Sequence, residues 1–272
     1  MEYSKINKIV ILRIIALVLL NITCIFEVLI LSNTNNAFSI YYIICFGFGI
    51  FLIIFSFALR YFYVKALRKW RNDIKRLQLN CEIIKLQQEL QSFLKSKGII
   101  RKSEKLNFGY WQMLEAITHA YLGDSDTAIK LLDDTVKKTF NNDESNPTFI
   151  YVYLDLKSIA YIYKKEYEEF INITKEKNLV LERLDDSLKT QIMVQGEAQD
   201  LLALLLETHD LDVVDAILSM IETTNDNYTL ARLIYYLYVY YEKENCLEEK
   251  NYFKNELKKI EGDIFFTKED YN

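Results

Sequence analysis

Two long apolar runs open the chain. Residues 9–31 read IVILRIIALVLLNITCIFEVLIL, and residues 40–64 read IYYIICFGFGIFLIIFSFALRYFYV. The first run, as a helix, rises about 35 Å, enough to cross a hydrocarbon core of about 30 Å with some tilt. Only the uncharged SNTNNAFS separates the two runs. The pattern predicts a transmembrane helical hairpin over residues 1–64. A cleaved signal peptide suits the first run less well. Its apolar stretch exceeds a signal core, no small-x-small site follows, and a second span comes at once.

Residues 65–98 read as a basic amphipathic stalk helix ending at Gly98. Leu67, Trp70, Ile74, Leu77, Cys81 and Ile84 follow one 3-4 spacing; Leu79, Ile83, Leu86, Leu90 and Phe93 follow another. Two overlapping stripes make a wide apolar face rather than a clean coiled-coil seam. Packing on the following domain is preferred over stalk dimerisation, because the heptads are few and the register shifts. The first part, with Trp70 among basic residues, is expected on an anionic membrane surface.

From about residue 99 to 262 the pattern becomes helix, short polar turn, helix, repeated about four times, before a tail at 263–272. Asp124 or Ser125 can cap one helix, and Pro147 opens another. The corners fall near Asp124, Glu166, Asp210 and Asn245. A recurrence of about 35–45 residues in helix pairs signals an α-solenoid.

Within this array Ala116, Ala120, Tyr121, Gly123, Asp124 and Ala128 resemble the tetratricopeptide repeat (TPR) pattern of small and aromatic residues, a Gly-Asp-like turn, then Ala. Ser158, Ala160, Tyr161 and Tyr167 fit a second unit, with Phe170 in place of the second-helix Ala. His209, Asp210 and Val214 occupy the corresponding places in a third. The resemblance covers roughly residues 105–262, with a longer and less regular period than the family's. It implies an all-α, TPR-like superhelix whose first helices line a concave protein- or peptide-binding face, without catalysis.

Charge then orients the chain. Residues 1–76 carry a net +7 and residues 77–272 a net −12, within 33 Lys+Arg and 38 Asp+Glu overall. An acidic body does not suit phosphate, so no nucleic-acid partner is expected. Lys5 and Lys8 precede the first span, and Lys65, Arg68, Lys69, Arg71, Lys75 and Arg76 follow the second. The loop between has neither Lys nor Arg. The positive-inside rule therefore places both termini in the cytoplasm, with the basic group at the membrane surface. A composition rich in Ile, Asn, Lys and Tyr points to a low-GC bacterium and its inner membrane. One proline and 7 glycines in 272 residues argue against an all-β fold.

Candidate chemistry is sparse. No phosphate-binding glycine loop, HExxH or CxxC occurs, so no cofactor, metal or catalytic residue is expected. His119 and His209 read as packing or surface groups. Of the intramembrane polar residues, Asn21 can hydrogen-bond across helices, and Glu27 can snorkel, be protonated or pair with a group on another chain. Cys24 and Cys45 fall at similar depth and read as buried thiols; Cys81 and Cys246 would be reduced. Tyrosine is the suggestive feature. Neighbours on a helix lie about 100° apart, so runs such as Tyr235, Tyr236, Tyr238, Tyr240 and Tyr241 cannot all face one core. Tyr153, Tyr161, Tyr235 and Tyr238 are the candidate partner-binding residues, with core packing as the alternative. Two functions stand. One is a membrane-anchored scaffold or adaptor recruiting a protein partner. The other is a membrane-acting subunit or immunity protein, whose hairpin binds a transporter or a membrane-active toxin. The oligomeric state stays open.

Overall fold

The computed structural model describes residues 11–12, 14–23, 25, 39–96, 105–140 and 146–268. Among them all regular structure is helical. The helices are α1 (Ile14–Thr23), α2 (Ser39–Leu79), α3 (Ile83–Ser96), α4 (Lys105–Tyr121), α5 (Ser125–Phe140) and α6 (Pro147–Lys164). Then come α7 (Tyr167–Leu181), α8 (Asp186–Thr208), α9 (Leu211–Thr223), α10 (Asn227–Lys243) and α11 (Leu247–Lys258), before a 3₁₀ turn at Phe265–Thr267. The chain divides into two compact units, Met1–Ile74 and Lys75–Asn272.

Among the described residues, one helical stretch is long and apolar enough to cross a membrane. It is Phe46–Leu79, with a mean hydropathy of 1.8 over its most apolar 18 residues. Its large side chains face outward on several sides, Phe51, Ile54 and Phe57 among them. That is costly in water and natural in lipid. The first expected span is represented by the shorter α1, and the two-span hairpin is not established by it. Glu27, Cys24 and most of the SNTNNAFS loop lie outside the described residues. Asn21 is exposed, and its side-chain amide donates to the Leu17 carbonyl one turn back at 2.8 Å. The helix thus satisfies one of its donors itself. Lys65, Arg68, Lys69, Arg71, Lys75 and Arg76 are all exposed on α2, whereas Trp70 is buried, contrary to its expected place on a lipid surface.

The stalk is two helices rather than one. At its break Cys81 takes a left-handed φ of 57°. The N–H of Glu82 donates to Leu77 and that of Cys81 to Gln78, at 2.9 and 3.0 Å. This is the Schellman closure of a helix C-terminus, adopted here without glycine. The break explains the register shift. Trp70, Ile74, Leu77 and Cys81 are the buried stripe of one helix, and Ile83, Leu86, Leu90 and Phe93 that of the next. Helix α3 packs on α4, where Phe93 meets Trp111 edge-on at 5.8 Å and the Gln91 side chain donates to Glu115 at 3.0 Å.

The same corner recurs through the second unit. Left-handed residues at Cys81, Gly123, Lys165, His209 and Asn245 each end a helix, 42, 42, 44 and 36 residues apart. Gly123, at φ 96°, has a conformation that any side chain would strain. Each following helix starts with a good cap or acidic first turn. Asp124 accepts from Thr127 N–H at 3.1 Å and Asp210 from Asp212 N–H at 3.0 Å. Between hairpins, Asn146 caps α6 ahead of Pro147, and Asp226 caps α10. Helices pack on their chain neighbours, and the first helices of successive hairpins also pack on one another, α4 on α6, α6 on α8, and α8 on α10. This packing is compatible with a helical-repeat solenoid.

The chain then turns back after α11. Gly262 lies against the Cys81 corner so tightly that a Cβ on it would fall 2.3 Å from Cys81 Cβ. Asp263 N–H donates to the Cys81 carbonyl at 2.8 Å, and its carboxylate accepts from Ile84 N–H at 3.3 Å, capping α3. Gly262→Ala should therefore lose about 2 kcal/mol through overpacking. Urea unfolding followed by helical circular dichroism measures it. A midpoint equal to the unaltered chain's would refute the close approach.

Candidate functional site

Helix α10 sets the centre of the second unit. All eight residues from Leu233 to Tyr240 are buried. A helix that is apolar all round must be packed all round. On one side Tyr228, Arg232 and Tyr236 form an i, i+4, i+8 stripe. The Arg232 guanidinium lies over the Tyr228 and Tyr236 rings, at 5.2 and 5.7 Å from their centroids. It donates to both hydroxyls, at 3.3 and 2.9 Å. Stacking and phenol acceptors make a partly buried guanidinium tolerable.

Tyrosines from other helices close on this stripe. The Tyr121 and Tyr228 hydroxyls are hydrogen-bonded, joining the end of α4 to the start of α10. Tyr121 also meets Tyr163 at 6.0 Å, and Tyr163 meets Tyr235 edge-on at 5.4 Å. Burial pushes the Tyr121 and Tyr163 phenols well above their ordinary range, and pushes Tyr236 up to about 12 against the opposing pull of Arg232.

A second buried cluster links α6, α7 and α8. The Lys177 side chain has no exposed surface. Its ammonium lies 3.0 Å from Asp200 and 3.4 Å from Asp155. Gln199 also donates to Asp155 at 3.2 Å, and Lys177 sits 5.7 Å from the Tyr151 ring centroid. Burial raises the Asp155 carboxyl despite the nearby Lys177 and Arg232 cations. A charge network of this kind fixes helix register and becomes very costly once a member is removed. No sequence spacing reveals it, because its members lie 22 and 44 residues apart.

The candidate tyrosines fall into two kinds. Tyr235 and Tyr238 are fully buried in α10. Tyr235 stacks on Phe266, and Tyr238 donates to Glu242 at 3.0 Å beneath the ammonium groups of Lys165 and Lys250. Of the tyrosine run on α10, Tyr235, Tyr236, Tyr238 and Tyr240 are buried and Tyr241 is half-buried, because the helix is packed on more than one face. Tyr153 and Tyr161 are half-buried on α6. Tyr153 donates to Asp133 at 2.6 Å and accepts from Lys157 at 2.8 Å. Burial and the Asp133 bond push its phenol up to about 12.

The histidines stand apart, His119 beside Glu115 and His209 at its corner, 3.0 Å from Glu244. Among the described residues no three His, Cys, Asp or Glu side chains group as metal ligands. Comparison with protein-family models, curated proteins and solved structures finds no match.

Two outcomes follow. Lys177→Met should cost about 3 kcal/mol by removing the buried ammonium that the half-buried Asp155 and Asp200 share, and Asp155→Asn in the same chain should recover part of it. Denaturant titration of the single and double variants measures both; additive losses would refute the pairing. The buried phenols give a pH dependence. Their folded pKa lies above the unfolded value of about 10, so they favour the fold fully below pH about 10 and lose that contribution as pH rises through the folded values. Helicity should collapse in one transition between about pH 10 and 12, with phenolate absorbance at about 295 nm rising in the same step. Phenolate absorbance that rises in full while helicity is retained would refute this.

Proposed function

We propose that the chain is a membrane-anchored interaction module. A two-span hairpin over residues 1–64 fixes it to the inner face of a bacterial cell membrane, with both termini cytoplasmic. A TPR-like array then binds a protein or peptide partner, without catalysis. The observation that carries this reading is the run along α2, where an outward-facing apolar stretch passes without a break into an exposed basic belt ahead of the helical array. Lipid accepts the first and anionic headgroups the second. Helix-pair arrays serve as extended binding surfaces because each unit contacts mainly its neighbours.

The membrane-acting reading has one observation in its favour. A groove of about 250 Å³ opens between α1 and α2, lined by Leu17, Leu20, Ile53, Ser56, Phe57 and Arg60. Replacing the hairpin with an unrelated two-span anchor separates the readings. Retained partner capture supports the scaffold, and lost capture supports the hairpin.

Topology is tested with single thiols, in a chain whose Cys24 and Cys45 are alanine. An impermeant thiol reagent on intact cells should label Asn35→Cys and leave Asn272→Cys untouched. Labelling at position 272 from outside would invert the orientation and place the array on the other side of the membrane.

A further inference from the structure

The segment after α11 is buried rather than trailing. Ile264, Phe266 and Thr267 have almost no exposed surface. Phe266 stacks on Tyr235, with centroids 4.2 Å apart and planes 15° apart, and meets Tyr163 edge-on at 5.2 Å. Phe265 meets the same two rings at 6.1 and 5.6 Å. It also lies beside Gly123, where a Cβ would be 3.5 Å away. These rings belong to the first helices of hairpins, the layer on which a solenoid offers its inner binding surface.

The segment is held in a particular way. It forms no helix beyond one 3₁₀ turn and adds no strand. Asp263 ties it to the Cys81–Ile84 corner, its N–H donating to the Cys81 carbonyl and its carboxylate accepting from the Ile84 N–H, while Ile264, Phe265 and Phe266 pack as apolar groups. Proteins open locally in separate units, so a short segment at the end of the chain, without a helix or strand of its own, can open while the helices beneath it stay closed.

We propose that residues 263–267 are a resident ligand. The surface formed by Tyr163, Tyr235 and the Cys81 and Gly123 corners is a binding site for an extended protein segment of the type acidic–aliphatic–aromatic–aromatic. The chain's own Asp263, Ile264, Phe265 and Phe266 hold it shut until a partner's segment displaces them. This rests on the reading of the array as a protein-binding module, and it names the chemistry of the partner. The Cys81 carbonyl and the Ile84 N–H read the acidic residue and its backbone. The tyrosine rings read the aromatic pair, for which ring-on-ring contacts contribute beyond area alone.

The test uses the full chain in detergent and a labelled peptide with the sequence of residues 261–268. Fluorescence anisotropy should show the Phe266→Ala chain binding the peptide about tenfold more tightly than the unaltered chain, because the competing strap has lost its stacked ring. The same substitution within the peptide should abolish binding. Equal affinity for the two chains, or no binding to either, overturns the proposal. Should the Phe266→Ala chain lose its helicity, hydrogen exchange on the unaltered chain decides. The Asp263 and Thr267 amides should then exchange about 100-fold faster than those of Leu233–Tyr240, through an opening that leaves α10 closed. Exchange at the α10 rate would make the strap a permanent part of the core and overturn the idea. Peptide binding as expected, with no protein captured from the cell by either chain, would uphold the site and sink the scaffold reading. Capture equal for both chains, with no peptide binding, would do the reverse.

Discussion

The second unit depends on the need to bury α10 on every side. Eight consecutive residues without exposure leave no polar stripe to face water. Helices α8, α9 and α11 cover part of its surface. Tyr121 at the end of α4 and the strap at Phe265–Thr267 add aromatic contacts through Tyr228 and Tyr235. Together they link α4 and the segment after α11 to the last hairpin. Tyrosine suits such a layer because each ring supplies area while its hydroxyl needs a nearby acceptor or donor. Arg232 supplies two donors on one helix, and the Tyr121–Tyr228 pair serves another.

Much of the array was legible in the sequence because its corners are local events. A left-handed residue, a short polar turn and a capping Asp act within about six residues, and Asp124, Asp210 and Pro147 sit where that chemistry needs them. The corner at Cys81 does not show in the sequence because Asn80 and Glu82 are its only polar residues and no Gly or Pro interrupts the apolar spacing there. The shift of register between the two stalk stripes was the signal. Two apolar stripes on one presumed helix are better explained by two helices.

The site was less legible, for a different reason. Which side of a tyrosine-rich helix faces a groove depends on how many neighbours surround it, and that number is set by the whole fold. The stripe Tyr228, Arg232 and Tyr236 is plain at i, i+4 spacing, but its meaning as a partly buried cation needed the rings of α4 and α6 around it. The strap was read as a tail because a run of three apolar residues is too short for periodicity to speak. Its burial comes from partners more than 20 residues away, at Tyr163 and Tyr235.

If the strap is the resident ligand proposed above, it also changes what a membrane anchor would be for. A segment tethered by a short flexible linker acts at an effective concentration of about 1 mM. A free partner at about 1 μM must therefore bind about a thousandfold more tightly than the strap to displace half of it, a difference near 4 kcal/mol. Two added rings supply such an increment only when both are fully buried, at roughly 1.5–3 kcal/mol each. Confinement to a membrane offers a second route. A partner fixed to the same surface meets the array at a raised local concentration, which lowers the affinity its segment needs. Under the proposed function, this arithmetic makes the hairpin and the strap complementary: the strap would suppress binding by dilute soluble segments, and the anchor would restore it for proteins held on the same bilayer.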